Sequence, residues 1–180
     1  MQKKLYGAIR TIGESTTDRC IEQVKKLGFN YCVIRDYKPL ENASKETIRK
    51  AGTLKDRYDW VMTIDADEIL DKMTLKKLEN YCDKMKKEYD DKLFCFTGYV
   101  DCTKRGVIDS IHFFRTRYCE DIYNNIKDKN IGEREGKEES DICNWVVSNM
   151  NLKWAIGKWK VPMATHIFEA QISEKKEHNL

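Results

Sequence analysis

Two periods of hydrophobicity alternate along the chain. Apolar runs rich in β-branched and aromatic residues are followed by stretches whose apolar positions recur at helical spacing, the pattern of strands alternating with covering helices. A strand is predicted over 4–9 (KLYGAI), with a polar loop over 10–15. The Ser15-Thr16-Thr17 cluster offers caps for a helix to about residue 27, with Ile21, Val24 and Leu27 on one face and Gly28 as its stop. A second strand over 29–34 (FNYCVI) ends in Arg35-Asp36, and Pro39 falls in the loop beyond. Ser44 is placed to cap a helix through about residue 55, and a third strand begins at Tyr58. This β-α-β-α-β order predicts a parallel sheet with right-handed crossovers. The strand ends after residues 9, 34 and 64 then open on one edge.

In the second half, Leu75, Leu78, Tyr81, Cys82 and Met85 predict an amphipathic helix over 74–88. Strands over 93–100 and 108–117 flank a turn at 101–106. The segment 118–136, rich in Asn, Asp and Lys, is expected to be irregular and to lie over a site. A short helix to about residue 150 follows, then a strand over 153–163. The last ten residues are charged and expected to fray.

The third strand carries the chemistry. Its apolar run Trp60-Val61-Met62-Thr63-Ile64 stops at Asp65-Ala66-Asp67-Glu68. Asp65 and Asp67 are two apart and project to the same side of an extended backbone. Carboxylates at the carboxyl end of a buried strand suit a hard divalent cation, with coordination positions left for phosphate oxygens and water.

Composition narrows the reading without changing it. Aromatic residues make up 11% and hydrophobic residues 41%, which excludes a disordered polypeptide. A net charge of +3, with scattered basic residues, does not call for a nucleic-acid partner. No stretch is long and apolar enough for a membrane span, and no signal-peptide core is present. The seven cysteines form no C-x-x-C pair and sit among apolar neighbours, so they read as reduced core thiols rather than a zinc site. The location expected is cytoplasmic, with at most a loose membrane association.

Taken together, the chain resembles the GT-A nucleotide-sugar glycosyltransferases, in particular the family-2 type in a short form. Four features carry the resemblance: Arg10-Thr11 just past the first strand; the apolar strand ending in Asp65-Ala66-Asp67; the acidic cluster Glu138-Glu139-Ser140-Asp141 opening a helix; and His166 after a late strand. The resemblance implies an α/β fold, one GT-A-like domain with a Rossmann-type, mostly parallel sheet flanked by helices. Residues 1–70 would form the nucleotide-binding half, 71–170 the acceptor side and 171–180 a charged tail. It implies transfer of a sugar from a nucleotide-diphosphate donor (UDP-, GDP- or TDP-linked) to a glycan or other hydroxyl acceptor, with inversion. Asp65, Asp67 and His166 would hold Mn2+ or Mg2+ to neutralise the departing diphosphate. Arg10, Thr11, Asp36, Asp65 and Arg115 would border the donor, and Glu139 or Asp141 would accept the acceptor's proton.

Two other classes fit parts of the pattern. A nucleotidyltransferase would use the same carboxylates, but its triphosphate needs a glycine-rich basic loop after the first strand. The loop here, Arg10-Thr11-Ile12-Gly13-Glu14, has one glycine and an acid. The other is a non-catalytic nucleotide- or sugar-binding module. A haloacid-type phosphatase also has D-x-D after an apolar strand, but there the strand opens the domain.

Overall fold

A computed structural model describes residues 3–35, 40–132, 137–156 and 161–167. Asp36 and the charged tail, both singled out above, lie outside the described residues.

The first half follows the predicted order. Strand β1 (Lys3–Thr11) leads to helix α1 (Thr17–Leu27), strand β2 (Tyr31–Arg35), helix α2 (Leu40–Gly52) and strand β3 (Tyr58–Asp65). β1 lies between β2 and β3 and is parallel to both. Gly28 ends α1 at φ 82°, a left-handed conformation that costs glycine nothing. Helix α2 starts earlier than the Ser44 cap predicts. Ser44 lies inside it, 1% exposed, and its hydroxyl serves the site described below.

A two-residue strand β4 (Glu68–Ile69) follows the acidic cluster directly, then helix α3 (Leu75–Tyr89), strand β5 (Leu93–Cys102) and strand β6 (Gly106–Arg115). Thr74 caps α3 by accepting the Lys77 amide at 3.3 Å. The stretch expected to be irregular contains helix α4 (Thr116–Ile126). Its polar surface hides a stripe of Cys119, Ile122 and Ile126, all fully buried. Helix α5 (Glu138–Met150) follows, and the single late strand expected over 153–163 is two strands, β7 (Lys153–Ile156) and β8 (Pro162–His166).

The eight-stranded sheet runs β2-β1-β3-β6-β5-β8-β4, with β7 also on β5. β5 is shared along its length: its first half pairs with β7 and its second half with β8, both parallel. β6 is antiparallel to β3 and β5, and β4 to β8. Helices α1 and α3 cover one face through Cys20, Val24, Leu78, Cys82 and Met85. Helices α2, α4 and α5 cover the other through Ile48, Ala51, Cys119, Ile122, Ile142 and Val146. Helices α2 and α4 approach closely at Gly52, where a Cβ would stand 2.8 Å from the Glu120 amide nitrogen. The mixed α/β domain with helices on both faces matches the expected fold class. No helix of the described residues is long and apolar enough to cross a membrane.

Candidate active site

Parallel pairing brings Arg10 beside Asp65 in register. Its Nε donates to Asp65 Oδ1 at 2.8 Å, and its Nη1 donates to Ser44 Oγ at 3.1 Å and pairs with Glu139 Oε1. Ser44 in turn donates to Glu139 Oε1 at 2.6 Å. One guanidinium therefore ties the first aspartate of the D-x-D to the first turn of α5. Arg10 and Glu139 keep only 10% and 9% of their side-chain surface, whereas Asp65 keeps 39%. Asp141 is on the same turn of α5 two residues on, about 200° around the helix from Glu139.

The second aspartate is held differently. Asp67 is 1% exposed, and its Oδ2 lies 3.2 Å from His166 Nε2. The β4–β8 pairing and the Ile167 amide bond to the Asp67 carbonyl at 2.8 Å fix the two residues together. The hydrogen bond to Asp67 raises the His166 pKa to about 9. Glu68 completes the cluster. Its Oε2 accepts the Asp65 amide at 2.9 Å and its Oε1 accepts the Ser110 hydroxyl. Burial, and then the charges of Asp65 and Asp67, push the Glu68 carboxyl up to about 8.

Thr11 shapes the loop below. Its hydroxyl donates to Glu14 Oε2 at 2.5 Å and accepts the Gly13 amide at 3.0 Å, while Glu14 also accepts the Ile12 amide at 2.9 Å. These amides are consumed within the loop, so they do not form a phosphate cradle.

Arg10, Asp65 and Asp67 are expected on one edge of the sheet, and Glu139 and His166 are implied by the resemblance; the structure sets Glu139 against Arg10 and His166 against Asp67. Arg115 is elsewhere. It pairs with Trp60 at the start of β3, five residues from Asp65, which is about 16 Å along a strand. There it bonds Asp91 at 3.2 Å and lies over the Trp60 and Tyr118 rings. Its expected role at the donor gives way to that structural one, because β6 runs antiparallel and its carboxyl end lies at the opposite edge. Ser44 and Ser110 are the residues sequence reasoning missed. Ser44 had the spacing of a helix cap, and nothing near Ser110 in the sequence marks it.

Among the described residues no three His, Cys, Asp or Glu side chains converge as a ready-made metal cage. The Asp67–His166 pair does fit two adjacent positions of an octahedral ion, whose ligands at about 2.1 Å stand about 3 Å apart. Mg2+-type sites commonly use one or two protein ligands and draw the rest from substrate phosphates and water.

This is the fold of GT-A-like glycosyltransferases. The chain is similar along 97% of its length to a glycosyltransferase involved in the glycosylation of the major capsid of PBCV-1, with a TM-score of 0.62, 11% identity and 98% of that chain covered. It is also similar to the A197 protein from STIV, with a TM-score of 0.55, 15% identity, and 84% of this chain and 81% of that one covered. No family model matches the chain, and no curated protein sequence is significantly similar to it.

Proposed function

We propose that the protein is a metal-dependent glycosyltransferase that moves a sugar from a nucleotide-diphosphate donor to an acceptor hydroxyl by a single inverting displacement. The observation that carries this reading is the pairing of two differently held aspartates on one strand end. Asp65 is fixed by Arg10, and Asp67 is fixed by His166.

Asp67 and His166 would hold Mn2+ or Mg2+, oxygen- and nitrogen-loving ions suited to these donors. Such a cation supplies charge that neutralises the diphosphate as it leaves. Asp65, exposed enough to meet a ligand, would accept a hydrogen bond from the donor or reach the cation through water. Arg10 orients it and is fixed in turn by Glu139 and Ser44. Thr11 keeps the loop beside the donor folded through Glu14. Glu139 is favoured as the base over Asp141 because its carboxylate shares the Arg10 guanidinium with Asp65.

The occupied amides of the Thr11–Glu14 loop weigh against a nucleotidyltransferase, which would need them for a triphosphate. A panel of nucleotide sugars incubated with Mn2+ and read by mass spectrometry tests the proposal. Release of nucleoside diphosphate from one donor, lost in Asp67→Ala, supports a transferase. Binding of donors with no turnover for any of them supports a binding module.

A further inference from the structure

His166 is held at both ring nitrogens. Nε2 stands 3.2 Å from Asp67 Oδ2, and Nδ1 stands 3.2 Å from Cys102 Sγ. Cys102 is the last residue of β5, pairs with His166 in the β5–β8 register and is 2% exposed. A turn over 103–105 follows it. The Thr103 amide donates to the His166 carbonyl at 3.2 Å, closing the same turn over the histidine.

A neutral imidazole has one N–H and one lone pair. For Nε2 to offer its lone pair to a cation, the proton must sit on Nδ1. A ligating histidine gives that proton to an outer partner, which fixes both tautomer and ring orientation. The atom facing Nδ1 here is the Cys102 sulfur, an acceptor at 3.2 Å. The ring nitrogens point to opposite sides of the imidazole, so the sulfur beside Nδ1 is not placed to ligate a cation at Nε2.

We infer that Cys102 is a positioning residue whose sulfur accepts the Nδ1–H of His166 and thereby aims the Nε2 lone pair at a cation beside Asp67. This rests on Asp67 and His166 being cation ligands.

The test uses the full chain and two readouts. Electron paramagnetic resonance follows free Mn2+ during titration of wild type, Cys102→Ser, Cys102→Ala and Asp67→Ala. Nitrogen-15 spectra of the histidine rings, taken with Mg2+, report which nitrogen of His166 carries the proton. Cys102→Ala should weaken Mn2+ binding about 10- to 100-fold and move the proton toward Nε2, whereas Cys102→Ser, which keeps an acceptor, should stay within about threefold of wild type. Unchanged Mn2+ affinity in Cys102→Ala, alongside loss of binding in Asp67→Ala, overturns the role of Cys102 and leaves the ligands standing. Equal losses in the serine and alanine variants with an unmoved proton also overturn it, because they mark a packing role. Wild-type Mn2+ binding by Asp67→Ala removes the ligand assignment itself, and the role of Cys102 falls with it.

Discussion

Arg10 and Asp65 face each other across adjacent parallel strands, with Arg10 Nε donating to Asp65 Oδ1 at 2.8 Å. The same guanidinium reaches Glu139 on α5, so a sheet edge and a helix start are locked through one side chain. Removing it leaves Glu139, 7% exposed, without its cation. Arg10→Ala is therefore expected to lose about 3–5 kcal/mol of stability in urea unfolding, the usual cost of breaking a buried pair on one side. Arg10→Lys keeps the charge but not the fork, and should lose less. Wild-type stability in Arg10→Ala would show that the cluster contributes nothing to the fold.

The two acids of α5 are separable by isosteric change. Glu139→Gln should lower transfer by about 100-fold or more while nucleotide binding changes little, the signature of a lost general base. Asp141→Asn should stay near wild type. The reverse result moves the base to Asp141. Steady-state kinetics with the donor identified by the sugar screen distinguishes the two.

Stability should depend on pH through His112. This side chain is 5% exposed and stacks near Phe114 and Trp154, and its Nδ1 contacts the Ser110 carbonyl at 2.7 Å while Nε2 is buried without a hydrogen-bond partner among the described residues. Burial, and then the nearby Arg10 charge, lower its pKa to about 4 from the ordinary 6.5. The unfolded chain takes up a proton there between those values while the folded chain does not. The contribution is thus complete above about pH 6.5 and is lost as pH falls toward 4, on the order of 3 kcal/mol in all. Glu68, whose carboxyl is pushed up to about 8, acts in the opposite sense over the same window. His112→Asn, which keeps a donor near the Nδ1 position and removes only the histidine's share, should therefore make the urea-unfolding stability rise more than in wild type as pH falls from about 6.5 to 4.5. An unchanged slope would place the pH dependence on other groups.

Packing of α2 on α4 gives a prediction remote from the site. A methyl group at Gly52 would meet the Glu120 backbone rather than a movable side chain. Gly52→Ala should cost about 1–3 kcal/mol, read as a lower midpoint in thermal unfolding, despite alanine's better helix propensity. An unchanged or higher midpoint would mean that the helices separate at little cost.

Much of the site was legible because strand period and parallel pairing are local rules with long reach. The apolar run into Asp65 located a buried strand, and the β-α-β order placed Arg10 beside it before any contact was known. Glu139 and His166 came from the family resemblance, as an acid opening a helix and a histidine after a late strand. What stayed hidden depends on pairings that no short window encodes. Arg115 looked like a strand-end residue, but the antiparallel course of β6 carries it to the far edge. Helix α4 was hidden by Arg117, Glu120, Asp121, Asn124 and Asn125 on its outer side, although its Cys119, Ile122 and Ile126 stripe was there to read. Cys102 read as a core thiol because its partner His166 is 64 residues away.

The central claim is that Asp67 and His166 help to bind a cation that engages a diphosphate. Calorimetry with UDP, GDP and TDP, each with and without Mn2+, on wild type and Asp67→Ala, tests it most directly. The account predicts that wild type binds one of these nucleotides at least 10-fold more tightly with Mn2+ and that Asp67→Ala loses the metal effect, a coupling of about 1.4 kcal/mol or more. Equal nucleotide affinity with and without Mn2+, or a metal effect that survives in Asp67→Ala, would contradict it.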